Sequence, residues 1–429
     1  MIQDKNKYYA LLKFYVDFMF KLAYRRVEYY GKENIPQNGA IIYAPNHTNT
    51  LMDALAVLAI DSKAKVFVAR ADVFKNPVIK KILTFFKMLP IHRKRDGADN
   101  LIKNEEINEL VVNVLHDKVP FCILPEGTHR PMHSLMPLKK GVFRIAMQAN
   151  DTFGNETPVY IIPVGIEYGH FFRFRSSLLV QIGEPINVTE FIKENPELNI
   201  VQHINELQNE LCESIKSKIL YIPDDENYNA VLQLAQMNLN LQISSEKLSS
   251  KNKLLNRFSA AKENIKNIEN SLQSASQKTQ EILKNAEEFS QRRYALGIGM
   301  NSVLKKNIRL SVFGKILLLL LGFPYFIFCA AATSPVTLLS MWLCSKFKDN
   351  TFHNSVRFLI AFALLPVILI AGIIVFSIFS WKLGIIFALL FIPSFLFLHE
   401  YLRLIRLFIS DVKWLKYRNI IFNYKKFIL

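Results

Sequence analysis

The sequence predicts an α/β domain, a sheet with flanking helices, followed by a long-helical segment and a C-terminal helical transmembrane region. Three observations carry this. Between residues 31 and 222, short apolar runs alternate with amphipathic stretches. Residues 224–296 contain neither glycine nor proline, and two nearly uncharged stretches, 316–344 and 358–398, lie towards the C-terminus.

The elements follow in order. In residues 1–30, Lys13, Asp17, Lys21 and Arg25 recur every four residues as one polar stripe among Leu12, Phe14, Tyr15, Phe18, Met19 and Phe20. This pattern predicts an amphipathic helix lying in a membrane interface rather than crossing it, and no cleavable signal peptide is evident. Residues 31–222 form the α/β domain. Strands are expected at 40–44, 66–70, 120–124, 159–164 and 178–182, and helices at 53–60, 79–87, 104–116 and 141–149.

Residues 223–304 form a third region. Here Phe258, Ala261, Ile265, Ile268, Leu272, Ala275, Thr279, Ile282, Ala286 and Phe289 recur in alternating steps of three and four, a heptad pattern. The seam suits a helical hairpin, a helix laid on the preceding domain, or a homo-oligomer.

Residues 305–429 form the membrane region. The stretch 358–398 is broken by Ser380-Trp381-Lys382 and is long enough for two spans of about 20 residues. The stretch 316–344 is short for two crossings. With Thr333-Ser334-Pro335 near its middle, it reads as a tight hairpin or a re-entrant loop. Lys305, Lys306 and Arg309 precede it, Lys346, Lys348 and Arg357 separate the two stretches, and Arg403, Arg406, Lys413, Lys416 and Arg418 follow. Hairpins returning to the cytoplasmic side satisfy the positive-inside tendency, with Lys382 alone at an outer turn, whereas a single first crossing would leave one basic loop on the far side.

Composition agrees with this division. A hydrophobic fraction of 51% with 33 phenylalanines is high for a soluble protein. The net charge of +17 accompanies no nucleic-acid motif, and the basic residues flank apolar stretches, so anionic membrane lipid is the expected partner. Cys122, Cys212, Cys329 and Cys344 are too widely spaced for a disulfide framework or metal cluster.

Two polar segments follow buried-strand patterns. Asn46-His47-Thr48-Asn49-Thr50-Leu51-Met52-Asp53 follows the apolar run 40–44, and Pro125-Glu126-Gly127-Thr128-His129-Arg130 follows 121–124. A general base and its orienting carboxylate are the economical reading of His47 and Asp53, since an unperturbed imidazole titrates near about 6.5. On one continuous helix, six steps of about 100° would leave the two roughly 120° apart, so His47 is expected before the helix, with Thr48, Asn49 or Thr50 as its cap. Arg93 lies in the basic run Arg93-Lys94-Arg95, and Arg130 follows the second polar segment. His92, His129, His133 and His170 match no standard zinc spacing with His47 and Asp53, so no metal is expected.

Four blocks stand in order: His47 to Asp53, Leu89-Pro90-Ile91-His92-Arg93, Pro125-Glu126-Gly127-Thr128, and Ile161-Ile162-Pro163-Val164. Over roughly residues 31–190 the chain resembles the glycerolipid acyltransferases. The five residues between His47 and Asp53, where four are commoner, resemble the branch acting on glycerol-3-phosphate or dihydroxyacetone phosphate.

The resemblance implies an α/β acyltransferase domain in which His47 takes a proton from a glycerol hydroxyl and Asp53 orients it. It implies Arg93 as the first phosphate ligand and Arg130 as the second. Glu126, Gly127 and Thr128 would line the substrate site, Glu126 on acceptor hydroxyls and the Gly127 amide towards the thioester oxyanion. The implied partners are an acyl thioester, from coenzyme A or a carrier protein, and a phosphorylated glycerol acceptor, with no further cofactor. Chemistry is expected on the cytoplasmic face of the inner membrane. Two other readings stay open: acylation of another lysolipid or an amino-acid lipid, and a non-catalytic lipid-binding or transport protein on the same fold.

Overall fold

A computed structural model describes residues 1–92, 99–154, 156–244, 253–273 and 277–421. The chain divides into two compact units, the first comprising residues 1–219 and 347–358 and the second residues 220–346 and 359–429.

The first unit opens with helix α1 (Lys7–Ala23), started by Asn6, whose side chain accepts the Tyr8 and Tyr9 amides. Its polar stripe is turned partly inward. Lys13 is buried and bonds to Asp17 and the Asp61 carbonyl, while Tyr8, Leu11, Phe14 and Phe18 face outward. The helix also ends earlier than expected. Residues 24–30 leave it as a strand, because Tyr24–Tyr30 finds an unpaired sheet edge to join.

The strands are β1 (Tyr24–Tyr30), β2 (Ala40–Pro45), β3 (Val66–Arg70), β4 (Met88–Ile91), β5 (Phe121–Cys122), β6 (Val159–Tyr168), β7 (Ser176–Ile182) and β8 (Ile186–Asn187). They form one mixed sheet in the order β1-β7-β6-β2-β5-β3-β4, with β8 also on β6. From β6 to β4 the neighbours run parallel, and β7 reverses against β6. The central strand β2 is buried throughout, as expected of an apolar run covered on both faces. Connecting helices are α2 (Leu51–Leu58), α3 (Pro77–Phe85), α4 (Asp99–His116), α5 (Gly141–Phe153), α6 (Val188–Glu194) and α7 (Ile200–Lys218). A capping box of Asn199 and Gln202 begins α7.

The second unit is helical. Helices α8 (Tyr228–Ser244), α9 (Leu254–Gln273) and α10 (Gln277–Ala295) pack together, and α11 (Met300–Val303) follows. Phe258, Ala261, Ile265, Ile268, Thr279, Ile282, Ala286 and Phe289 of the heptad seam are buried within this unit.

Next come α12 (Ile308–Ala332), α13 (Ser334–Cys344), α14 (Phe352–Phe379) and α15 (Trp381–Ile421). The first residues of α14 group with the first unit. Among the described residues, three helices are long and apolar enough to cross a membrane: Ile308–Ala332, Phe352–Phe379 and Trp381–Arg418. The 11 residues of α13 rise only about 16 Å, short of a hydrocarbon core of about 30 Å.

Aromatic pairs join α12 to α15, with Phe326 stacked on Tyr401 at 4.3 Å and the Tyr401 hydroxyl donating to the Leu319 carbonyl. At one end of this pair Asp411 is buried. It accepts from Lys315, from Lys305 at 2.7 Å, and from the hydroxyls of Ser302 (2.6 Å) and Ser311 (2.8 Å).

Candidate active site

The parallel strands deliver three loops to the carboxyl edge of the sheet, where ligands of open α/β sheets bind. Residues 46–50 leave β2, residues 123–136 leave β5, and residues 169–172 leave β6. Asn46 fixes the first loop to the neighbouring strand: its side chain donates to the Ile166 carbonyl at 3.1 Å and accepts the Ile166 amide at 2.7 Å.

His47 lies before α2, and its Nδ1 stands 2.8 Å from Asp53 Oδ2. The intervening backbone folds around the carboxylate, whose Oδ2 also accepts the amides of Thr48 (2.8 Å) and Asn49 (2.7 Å). Oδ1 accepts the Tyr168 hydroxyl at 2.7 Å. Asp53 is completely buried in the first turn of α2, where the helix dipole favours an anion. Burial and the Asp53 charge push the Tyr168 phenol well above its ordinary range, so it stays a donor.

Thr50 occupies the N-cap position of α2 without capping it. Asp53 binds the loop amides instead, and the Thr50 hydroxyl lies 2.6 Å from Ser355 Oγ and donates to the Thr351 carbonyl. The Thr50 backbone is at φ 46°, a sparsely populated conformation for a β-branched residue.

Glu126 is 1% exposed and joins two loops: one oxygen accepts the His47 amide and the other the Met136 amide. Burial raises its pKa to about 7, against the pull of those two amides and His47. Its carboxylate is thus occupied by backbone rather than presented to solvent.

Gly127 adopts φ 68°, which suits glycine, and its amide donates to the Leu124 carbonyl at 3.1 Å. That bond closes the turn, so the amide has no hydrogen left for an oxyanion. Thr128 is exposed. Arg130 donates its amide to the His47 carbonyl and its Nη2 to Ser134 Oγ. Arg93 falls outside the described residues.

Several contributors carried no pattern legible in the sequence. Tyr168 sits at the end of β6, and Asn49 donates to the Phe171 carbonyl at 2.8 Å. His133 pairs with Glu167 at 2.8 Å. Burial lowers the His133 pKa, but the Glu167 carboxylate prevails and leaves it raised. His129 packs edge-on against His47, with ring centroids 5.4 Å apart.

A base held by a buried carboxylate, with its second ring nitrogen beyond that clamp, is an arrangement for taking a proton from a bound hydroxyl. Comparison with known proteins finds acyltransferases. Residues 26–167 match the family model described as Acyltransferase. The chain is 33% identical over 115 residues to glycerol-3-phosphate O-acyltransferase 2 of Saccharomyces cerevisiae, covering 26% of this chain and 15% of that protein. It is 27% identical over 154 residues to the 1-acyl-sn-glycerol-3-phosphate acyltransferase of Cocos nucifera, covering 36% and 46%. The chain therefore spans less than half the length of these relatives. A crystal structure of the 1-acyl-sn-glycerophosphate acyltransferase of Thermotoga maritima aligns with a TM-score of 0.36 at 22% identity, over 49% of this chain and 77% of that one. The four ordered blocks and the His47–Asp53 pair all lie within residues 26–167, the span that matches the Acyltransferase family model.

Proposed function

We propose that the chain moves a fatty acyl group from a coenzyme A or carrier-protein thioester to glycerol-3-phosphate or 1-acylglycerol-3-phosphate. The observation that supports this reading best is the 2.8 Å contact of His47 Nδ1 with a buried Asp53 that holds three further donors. Asp53 keeps the proton on Nδ1 and leaves Nε2 to act as base.

In the proposed reaction, Nε2 removes the acceptor hydroxyl proton as the oxygen attacks the thioester carbonyl. The tetrahedral intermediate collapses by breaking the carbon–sulfur bond, and the departing thiolate takes the proton back from the imidazolium. Ester and thiol result, and His47 is restored. Arg93 and Arg130 are the proposed ligands of the acceptor phosphate, with Gly127 and Thr128 on the exposed wall of the site and Glu126 fixing the two loops that frame it. The three apolar helices would keep the product in lipid while the thioester arrives from water on the cytoplasmic side.

His47→Ala tests the reading directly. With purified chain in lipid discs, a labelled acyl thioester and each acceptor, it is expected to abolish transfer and leave the melting transition unchanged. Turnover within a few-fold of the unaltered protein would refute it.

A further inference from the structure

Residues 347–358 lie beyond the family match, encoded between α13 and most of α14, yet they group with the first unit. Within that unit they meet all three loops of the site. Asp349 Oδ2 lies 3.1 Å from His129 Nε2, on the loop after β5. The Phe352 ring stands edge-on to His129 at 5.1 Å. Thr351 and Ser355 hold the Thr50 hydroxyl, on the loop after β2. Asn354 and Arg357 donate to the carbonyls of Phe171 and Phe172, after β6.

We propose that residues 347–358 are a working part of the catalytic site, with Asp349 a positioning residue that fixes His129 edge-on against His47. This rests on the acyl-transfer reading above.

The geometry gives the reason. Asp53 anchors only one edge of the His47 ring. The 73° packing of His129 against it restrains the ring's tilt, and His129 is itself held by Asp349 on one side and Phe352 on the other. Loosening that stack costs near-attack geometry rather than substrate binding, so the effect belongs in kcat. The strained Thr50 backbone, held through its hydroxyl by Thr351 and Ser355, is a second point at which the segment fixes the catalytic loop.

Asp349 Oδ1 also accepts the amide and hydroxyl of Thr351. Asp349→Asn keeps an acceptor for that turn while removing the charge that faces His129, so it separates positioning from local folding. Full-length protein in lipid discs is assayed as a cycle of Asp349→Asn, His129→Ala and the double variant.

The expected result for Asp349→Asn is a kcat lower by about five- to tenfold with KM for the thioester unchanged, the size of one partly exposed charge-assisted hydrogen bond. In the His129→Ala background the same change should have no further effect, and Asp349→Glu should restore kcat to within about threefold. Unimpaired Asp349→Asn, or a full additional loss on top of His129→Ala, overturns the positioning role while leaving acyl transfer standing. An unaltered protein that acylates neither acceptor overturns both.

Discussion

Replacing Asp53 by Asn isolates the electrostatic part of the proposed mechanism. The side chain keeps its shape, and with its amide oxygen turned towards the loop it still accepts from His47 Nδ1 and from the Thr48 and Asn49 amides, which lie 2.7–2.8 Å from Asp53 Oδ2. Tyr168 loses a charged acceptor but can accept from the new amide. The base therefore stays in place with its tautomer unchanged, while the anion that stabilises the imidazolium is gone. Two unit charges about 4 Å apart, at an effective dielectric constant of about 20, interact by about 4 kcal/mol. At 1.36 kcal/mol per decade, kcat should fall about 10³-fold, with KM for both substrates nearly unchanged. Asp53→Ala would not make the same point. It strands the His47, Thr48, Asn49 and Tyr168 donors, at about 1–3 kcal/mol for each buried group, and should disorder the loop. The assay is single-turnover transfer from a labelled long-chain thioester with the acceptor saturating, beside a melting curve for each variant. A kcat for Asp53→Asn within tenfold of the unaltered chain, with the fold intact, would refute the reasoning.

Arg93→Lys should lower turnover as well as raise KM for glycerol-3-phosphate and lysophosphatidate, because a point charge replaces a bidentate grip; unchanged constants would remove phosphate recognition from this residue. Stability should fall as the pH rises from 5 to 9. Glu126 is raised from 4.5 to about 7 in the fold, so its contribution, on the order of 3 kcal/mol, is full below 4.5 and lost as the pH passes about 7; His133, also raised, contributes fully below about 6.5 and loses this at higher pH. Pulse proteolysis in urea should show the decline, and Glu126→Gln should flatten the portion below pH 7; equal stability at pH 5 and 9 would contradict both assignments. With the native cysteines replaced, a cysteine at position 348 should escape an impermeant maleimide added outside sealed cells, while one at 382 should react; labelling at 348 would place the site on the other face.

Much of the sheet was legible because its interior strands are covered on both sides. β2, β3, β6 and β7 each carry an apolar run, and each lies where that run begins or within two or three residues of it. The strands that escaped notice are β1 and β4, at the two ends of the sheet, together with the two-residue β8. An edge strand is buried less evenly, and Tyr24–Tyr30, with Arg25, Arg26 and Glu28, shows no such run, so it read as the tail of the preceding helix. The His47–Asp53 spacing was enough to require that His47 precede the helix. Nothing local could show that Asp53 would bind two amides and a phenol, because Tyr168 is 115 residues away and its contact depends on the order of the strands. Asp349 lies 220 residues from His129, in a stretch whose flanking lysines and apolar runs read only as a membrane turn.

The cluster around Asp411 bears on how the polypeptide is made. Lys315 lies two turns inside α12, and among the described residues its counter-charge is Asp411, which the ribosome adds 96 residues later. A cation in hydrocarbon is costly until it is paired. An α12 that crosses the membrane would therefore be poorly suited to lipid by itself until α15 packs against it.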